Sequence, residues 1–272
     1  MTAPQRLRLV FGLVEGSPKG DPGAAFGELA TWMREHDEVE IERKSWPTYR
    51  ALAESVRAGE SDIAWLPPVA YAWLAEAVTP LGCILRGNAT TYSAALVALE
   101  TSALHVPADL VGARAGWVDP WSAAGYVVPR IELARAGLDP AATFAKETFY
   151  GSHREALLAL SRGECDVAGT YARSVGGGHA TEGAWSELEG VDVRVLATFG
   201  SIPSDVIAVR RNLPPEQYAR ALASLRHACT DASGRPLVRA VFGGDELREG
   251  IDPGHEALRA AFESATAKGL FD

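Results

Sequence analysis

Cysteine and methionine are scarce in this 272-residue sequence, which has three cysteines and two methionines. Cys83, Cys165 and Cys229 are odd in number and far apart along the chain. A disulfide framework needs paired cysteines and a zinc site needs closely spaced ones, so this spacing fits neither. We therefore expect all three thiols to be buried as small apolar groups.

Basic residues are also few, since 26 Lys and Arg stand against 35 Asp and Glu and the formal net charge is −9. No basic run is longer than a pair such as Arg210-Arg211. A polyanion is bound by concentrated positive charge, so we exclude nucleic acid as a partner.

Long apolar runs are absent as well. The stretch 63–74 contains prolines and falls short of the roughly 20 residues that a membrane-spanning helix needs, so we expect no membrane span. The start of the chain, residues 1–5, is polar and short and does not resemble a secretory leader. We therefore expect a cytoplasmic protein as written, and a periplasmic or cell-surface protein if a leader has been removed.

Sequence motifs of common enzymes are missing too. The chain has no Gly-x-Ser-x-Gly elbow and no Walker-type loop, and the glycines of residues 12–18 are wrongly spaced for dinucleotide binding. The nearest two histidines, His153 and His179, are 26 positions apart, so no compact metal-ligand pattern is present. These absences favour a binding module over an enzyme, with no metal or organic cofactor.

What the chain does contain is an alternation of short β-rich runs and amphipathic helical patterns, which is typical of an α/β protein with parallel βαβ units. The predicted strands are residues 7–14, 39–43, 62–65, 81–85, 94–99, 113–118, 145–149, 166–169, 193–197 and 205–209. The predicted helices include residues 22–35, 126–136, 216–229 and 255–267, and residues 176–178 are predicted to form a surface loop.

An internal repeat appears when the sequence is laid over itself with an offset of 104 residues. The segments 49–64 and 153–168 share Arg, Gly, Glu, Asp and Ala and predict a helix, a turn and a strand in each of two similar lobes. The repeat places Tyr49 and His153 at equivalent helix starts. Ligands of open α/β sheets bind beyond the carboxyl ends of the strands, so we expect these residues on opposite sides of a cleft. The alternative is that both are ordinary surface residues.

A strand-to-helix turn at residues 117–126 is a candidate anion site. Asp119 and Pro120 end the strand, Ser122 caps the helix, and the small residues that follow let backbone amides approach a ligand. Exposed amides and the helix dipole both favour negative charge there. The alternative is a plain helix cap, and Pro129 within the predicted helix requires a kink.

Several segments, in this order and spacing, make the chain similar to a known family. They are Tyr49 with Ser-Asp-Ile-Ala-Trp-Leu at 61–66, Asp-Leu-Val-Gly at 109–112, Val-Asp-Pro at 118–120 with Ser122 and Gly-Tyr at 125–126, Gly-Ser-His at 151–153, and Ile-Pro-Ser-Asp at 202–205. From about residue 7 to 215 the chain resembles the phosphonate- and phosphite-binding proteins of bacterial ABC importers, which are class-II periplasmic-binding-protein-like.

The resemblance implies a two-lobed α/β fold whose ligand cleft lies between the lobes and closes on a small oxyanion. Lobe 1 would comprise residues 1–96 and 205–272 and lobe 2 residues 97–204, with crossings near 94–99 and 201–209. An importer permease is the implied protein partner. The ligand-binding positions carried over are Tyr49 and Tyr92 in the first lobe, and Ser122, the amides of Ala123 and Ala124, and His153 in the second.

The chain departs from the family in two places. Ser122-Ala123-Ala124 replaces a hydroxyl-rich turn of the Ser-Thr-Ser type, so we expect the anion to be held less well or to be a different anion. Arg173 stands where relatives that read an aminoalkyl group have an acidic residue, whereas Asp205 matches the remaining acidic position. An Arg there would favour a second anionic group such as a carboxylate; alternatively, Arg173 lies on a surface loop.

The alternative function is a cytosolic enzyme on the same fold, a lyase or dehydratase acting on a carboxylated small metabolite. His153 would then be the general base and Arg173 would bind the substrate carboxylate. No residue pattern identifies a reaction. We therefore predict a solute-binding protein for a small phosphonate-like oxyanion.

Overall fold

The computed structural model describes residues 7–15, 23–86, 89–173 and 180–271. The predicted loop at 176–178 lies outside these residues. The strands are β1 Leu7–Val14, β2 Val39–Trp46, β3 Ile63–Leu66, β4 Val78–Leu85, β5 Thr91–Leu99, β6 Arg114–Trp117, β7 Lys146–Phe149, β8 Val167–Arg173, β9 Glu182–Gly183, β10 Val193–Pro203, β11 Val206–Arg210 and β12 Glu246–Glu249. The α-helices are α1 Gly23–Asp37, α2 Tyr49–Ala58, α3 Pro68–Leu74, α4 Val128–Arg135, α5 Pro140–Thr143, α6 His153–Ser161, α7 Pro215–Thr230, α8 Gly234–Phe242 and α9 Gly254–Ala267. Short 3-10 turns cover Pro107–Leu110 and Ala184–Glu187, and a π-helical turn covers Ala123–Val127.

The chain divides into two units, each with its own sheet. The first unit, Met1–Thr90 with Ser204–Asp252, has the strand order β12-β4-β11-β3-β1-β2. The second unit, Thr91–Pro203 with Pro253–Asp272, has the order β10-β5-β8-β6-β7, with β9 beside β8. In both units parallel pairs joined by helices are combined with antiparallel strands. The α/β class predicted from the sequence is therefore confirmed.

All ten predicted strands have an observed counterpart, whereas β9, β12, α3, α5 and α8 are not among the ranges predicted from the sequence. Three of the four residues of β12 are charged, and this strand pairs only with β4, so it lacks the apolar alternation of a half-buried strand. Helix α8 begins at a glycine and has a proline in its first turn, which weakens its helical signal.

The unit boundaries differ from the expected lobes at two segments. Residues 91–96 were expected in the first lobe, but β5 pairs with β10 along its whole length, from Thr91↔Pro203 to Leu99↔Val193. The segment after residue 252 was also expected there, but α9 packs against β10. Backbone pairing and packing therefore place both segments in the second unit.

The 104-residue repeat extends into the strand register. β1 pairs with β3 at Gly12↔Ala64, and β6 pairs with β8 at Gly116↔Ala168. All four positions obey the same offset. The two units are thus built on the same β-α-β arrangement. In the sequence the repeat is clear only for the helix and the second strand of this arrangement.

The two glycines of this register are each required by a close neighbour. A Cβ on Gly12 would lie 2.7 Å from Oγ of Ser61, and a Cβ on Gly116 would lie 2.7 Å from Sγ of Cys165. Ser61 and Cys165 are themselves 104 residues apart and both buried. Each glycine lets the helix-to-strand turn pack directly on the strand that opens the repeated β-α-β arrangement, β1 in the first unit and β6 in the second.

The three cysteines are buried and free, as predicted. Burial is the largest cause of a raised pKa at each thiol, to about 12 for Cys83, Cys165 and Cys229. The thiols are therefore protonated at neutral pH and act as apolar packing groups.

Candidate functional site

The predicted anion turn is a buried loop closed by its own hydrogen bonds. Asp119 accepts the amide of Trp121 through its carboxylate at 2.7 Å and the amide of Ser122 through its carbonyl at 2.9 Å. The hydroxyl oxygen of Ser122 accepts the amide of Gly125 at 3.0 Å, as expected for a helix N-cap. Ser122, Ala123 and Ala124 are all buried.

The helix that follows begins with a π turn, which is the form that the predicted kink takes. The amide of Val127 donates to the carbonyl of Ser122 at 2.9 Å, and the amide of Val128 donates to that of Ala123, both five residues back. The amides of Ala123 and Ala124 precede the first of these bonds and have no acceptor among the described residues. They are therefore the donors of this turn that can bind an anion.

Two glycines allow the helix start to rest on the strand ends. A Cβ on Gly125 would lie 2.3 Å from Cγ2 of Val118, and a Cβ on Gly169 in β8 would lie 2.7 Å from the Trp117 ring and 2.9 Å from the Gly125 carbonyl oxygen. Side chains at either position would push the turn away from the sheet. The place of the turn is thus set by close packing of the glycine backbone on the Val118 and Trp117 side chains and on the Gly125 carbonyl.

His153 is the first residue of α6, as the repeat predicts. Ser152 caps the helix by accepting the amide of Glu155 at 3.1 Å. Nδ1 of His153 lies 3.0 Å from Oγ1 of Thr170, a fully buried residue of β8, and its ring meets the edge of Tyr171 at a centroid distance of 5.0 Å. These contacts fix the orientation of a partly exposed imidazole.

The structure brings His153 and the anion turn to the same edge of the second sheet. β6 and β7 are parallel neighbours, and their carboxyl ends lead into the anion turn and into α6. Beyond the paired strands, the Tyr150 amide donates to the Trp117 carbonyl at 2.9 Å, and that of Gly151 donates to Val118 at 2.8 Å. Four predicted site residues, Ser122, Ala123, Ala124 and His153, therefore share one sheet edge.

Arg173 lies at the end of β8 rather than on a loop, and it is held by carboxylates. Its Nη2 donates to Oε1 of Glu187 at 2.7 Å, and Nη1 lies 3.9 Å from Glu182. The hydroxyl of Tyr171 donates to the same Glu187 oxygen at 2.9 Å. The other oxygen of Glu187, Oε2, is buried and accepts no hydrogen bond from the described residues.

In the first unit, Tyr49 and Asp205 lie at the same edge of the sheet. Tyr49 opens α2, where Thr48 accepts the amide of Ala51 at 3.0 Å, just after the carboxyl end of β2. Asp205 precedes β11, and its carboxylate is 3.7 Å from Nη2 of Arg86. In the strand order β3 and β1 lie between β11 and β2, so the strands next to these two residues in the sequence are not neighbours in the sheet.

The resemblance assigns Tyr92 to the first lobe, and the unit division of the structure differs from that assignment. Tyr92 lies in β5 opposite Ile202 of β10, within the second unit, because the β5–β10 ladder continues to Thr91. Tyr92 therefore does not share a unit with Tyr49.

Sequence reasoning did not select Thr170, Tyr171 or Glu187. Thr170 and Tyr171 directly follow the repeated segment and lie toward the carboxyl end of β8, where ligands of such sheets bind. This position is the sequence signal that could have identified them. Glu187 lies in a 3-10 turn 16 residues beyond Tyr171, and no pattern in the sequence links the two.

Among the described residues, no cluster of three His, Cys, Asp or Glu side chains could hold a metal ion. None of their helices is both long and apolar enough to cross a membrane.

Comparison with known proteins identifies the family to which this chain belongs. Residues 18–250 match the family described as ABC transporter, phosphonate, periplasmic substrate-binding protein. The chain is 23% identical over 220 residues to the phosphate-import protein PhnD of Mycolicibacterium smegmatis, an alignment that covers 76% of this chain and 68% of that protein.

Two solved structures are similar over nearly the whole chain. A binding-protein component of an ABC phosphonate transporter from Pseudomonas aeruginosa has a TM-score of 0.80 at 18% identity, covering 98% of this chain and 89% of that one. PhnD1 from Prochlorococcus marinus in complex with methylphosphonate has a TM-score of 0.79 at 12% identity, covering 96% and 99%. At these identities they confirm the predicted fold, the two-lobed periplasmic-binding-protein fold.

The predicted class, a solute-binding protein, is confirmed by the family match, and the comparisons give no support to the alternative of a lyase or dehydratase. The chain belongs to the phosphonate-binding family of periplasmic substrate-binding components of ABC transporters.

Proposed function

We propose that this chain captures a small phosphonate or phosphate-like oxyanion in the periplasm and delivers it to the permease of an ABC importer. The observation that supports this most directly is the buried start of the Ala123–Val127 turn, where two backbone amides precede the first helical bond on the sheet edge that also carries His153. Family membership supplies the transport role.

The proposed binding chemistry relies on backbone more than on side chains. The amides of Ala123 and Ala124 donate to the anion oxygens, and the hydroxyl of Ser122, whose oxygen already accepts from Gly125, donates its own proton. If Nδ1 of His153 accepts the proton of the Thr170 hydroxyl, Nε2 carries the ring proton and donates it to the ligand. Hydrogen bonds to a charged acceptor are the strong kind, and burial strengthens them.

The remaining predicted contacts stay part of the proposal. Tyr49, Tyr92 and Asp205 are proposed from the resemblance to the family. Arg173 is proposed as a contact for a second anionic group, although its salt bridge to Glu187 means that a ligand carboxylate has to compete with that residue. The ligand then either lacks a carboxylate or binds with Glu187 displaced.

The test is a titration of the purified protein by calorimetry and by thermal shift with methylphosphonate, inorganic phosphate, 2-aminoethylphosphonate, phosphonoacetate and, as a control, sulfate. A ligand that binds only the folded state at a hundredfold excess over Kd adds about 2.7 kcal/mol of stability. We expect at least one phosphorus oxyanion to bind and sulfate to bind more weakly. Failure of all four phosphorus compounds to bind would overturn the proposal.

A further inference from the structure

The π turn at the start of the helix coincides with a proline. Pro129 follows the two five-residue hydrogen bonds, Val127 to Ser122 and Val128 to Ala123, and is buried. π-helical turns are rare, are found mostly as single turns within α-helices, and occur frequently at functional sites. The sequence feature that explains this one is the missing backbone amide of Pro129.

In an α-helix residue 129 would donate to the carbonyl of Gly125, four residues back. Proline has no amide to donate, and its ring clashes with that carbonyl. The Gly125 carbonyl oxygen instead accepts the amide of Val118 at 3.3 Å, which ties the helix start to the chain leaving β6. Because Pro129 does not bond to it, the Gly125 carbonyl is left to accept the amide of Val118 at the end of β6.

We propose that Pro129 is a positioning residue for the anion turn, and this inference rests on the proposed function. By keeping the Gly125 carbonyl on Val118, Pro129 holds the first helical turn in its wider five-residue form. The amides of Ala123 and Ala124 precede the helical bonds in a four-residue turn as well, so the five-residue form acts on their direction, which it holds toward the ligand. Pro129 itself does not contact the ligand.

In the five-residue form the Gly125 backbone packs closely against its neighbours. A Cβ on Gly125 would meet Val118, and one on Gly169 would meet the Gly125 carbonyl oxygen at 2.9 Å. A turn that tightened to four residues would have to move the Gly125 carbonyl away from Val118. The amides that precede it would then change direction.

The experiment compares Pro129→Ala with Pro140→Ala. Alanine at 129 restores the amide and removes the clash, so it favours the four-residue turn. Pro140 is the first residue of α5 in the same unit, where a helix does not use the amide, so its replacement controls for the loss of a proline. Calorimetry with methylphosphonate and phosphate gives Kd, thermal melting gives the stability without ligand, and hydrogen exchange reports on the Val118 amide.

We expect Pro129→Ala to weaken binding about tenfold or more, the loss of roughly one charge-assisted hydrogen bond. The Tm without ligand should stay equal or rise, because a proline leaves the helix, and the Val118 amide should exchange faster. Pro140→Ala should leave Kd and Val118 exchange unchanged.

An unchanged Kd in Pro129→Ala, or a Kd that weakens only together with a fall in Tm, would overturn the inference. If the wild-type protein binds neither probe, the proposed function fails for these ligands. Val118 exchange still decides the inference in that case, because an unaltered rate shows that Pro129 does not hold the turn.

Discussion

Asp166 receives both the backbone amide and the guanidinium of Arg114, at 2.8 Å and 2.7 Å. Its own amide donates back to the carbonyl of Arg114 at 2.8 Å. The equivalent residue 104 positions earlier, Asp62, makes the same pair of backbone bonds with Val10, and its carboxylate binds Arg210. One aspartate in each unit thus joins the end of the helix-to-strand turn to β1 or to β6, the equivalent strands of the two units, which explains why the repeat keeps this residue.

The first prediction follows from that pair. The hydrogen bond from Arg114 lowers the pKa of Asp166. A lowered folded-state pKa gives stability that is present above the unfolded value of about 3.9 and is lost as pH falls through the folded value. Asp166→Asn should therefore destabilise by about 1 kcal/mol at pH 7, since the side chain is 37% exposed and solvent screens the pair.

Urea unfolding of wild type and Asp166→Asn at pH 7 and at pH 3 measures this difference. We expect the gap between the two proteins to shrink at pH 3, because this pH is below the unfolded-state pKa of about 3.9 and the stability from the carboxylate is then being lost. A gap that stays constant with pH would show that the salt bridge contributes nothing to stability.

The second prediction concerns Thr170, which holds the imidazole of His153. Thr170→Val keeps the shape of a β-branched strand residue but removes the hydroxyl that lies 3.0 Å from Nδ1. Kd for methylphosphonate should rise severalfold, by about 1 kcal/mol, because the ring loses its orientation while the fold is kept. Calorimetry measures the change in Kd, and a thermal melt checks that the stability of the fold is unchanged.

A matched control is Ser161→Ala, which removes a hydroxyl that bonds to a backbone carbonyl on the other end of α6. It should leave Kd unchanged. If Thr170→Val binds as tightly as wild type, His153 either needs no partner or is not a ligand residue, and His153→Ala decides between these.

The third prediction uses the departure of this chain from the hydroxyl-rich turn of its relatives. Replacing Ala123 with Thr and Ala124 with Ser adds up to two donors next to the proposed anion. Affinity for methylphosphonate should rise about tenfold, since hydrogen bonds to charged groups contribute roughly 1.5–3 kcal/mol before the strain of fitting larger side chains. Both sites are buried, so the single variant Ala124→Ser is the gentler test.

Calorimetry measures Kd for methylphosphonate in those variants that keep a native melting transition. Binding that is unchanged or weaker in a correctly folded Ala124→Ser variant would place the anion elsewhere.

The fourth prediction separates the roles of Arg173 and Glu187. Glu187→Gln removes the charge that faces the guanidinium at 2.7 Å and leaves Arg173 available to a ligand carboxylate. Phosphonoacetate should then bind several times more tightly, by about 1 kcal/mol, while methylphosphonate changes little. Glu182→Gln is the control, because its carboxylate is 3.9 Å from Arg173 and holds it weakly.

Calorimetric titration of both variants with both compounds provides the measurement. Equal effects on the two ligands would mean that Arg173 lies outside the site and that Glu187 acts only on Tyr171.

The sequence predicts those parts of the fold and site that are encoded locally. Tyr49 and His153 are placed at helix starts because Thr48 and Ser152 cap those helices and the repeat aligns them. Ser122 is found for the same reason, since a cap residue next to small residues is a local signal.

Other features depend on partners that are distant in sequence. The unit to which Tyr92 belongs is decided by pairing with β10, about 110 residues away, and local patterns carry no information about it. The link between Tyr171 and Glu187 joins a strand to a 3-10 turn. Likewise, Pro129 predicts that the helix is irregular. That the irregularity is a π turn depends on the amide of Val118 and on the space left by Gly125 and Gly169.

The buried thiols have a practical consequence for studying this protein. Because burial raises their pKa values to about 12, the thiols of Cys83, Cys165 and Cys229 are almost entirely protonated at pH 7. Maleimide and iodoacetamide dyes react with thiolates, so the native chain offers them almost no target while it is folded. A single cysteine introduced on the surface, for example at the exposed Val111, can then carry a fluorophore without removal of the natural cysteines. A dye attached to this one cysteine can then report ligand binding by its fluorescence.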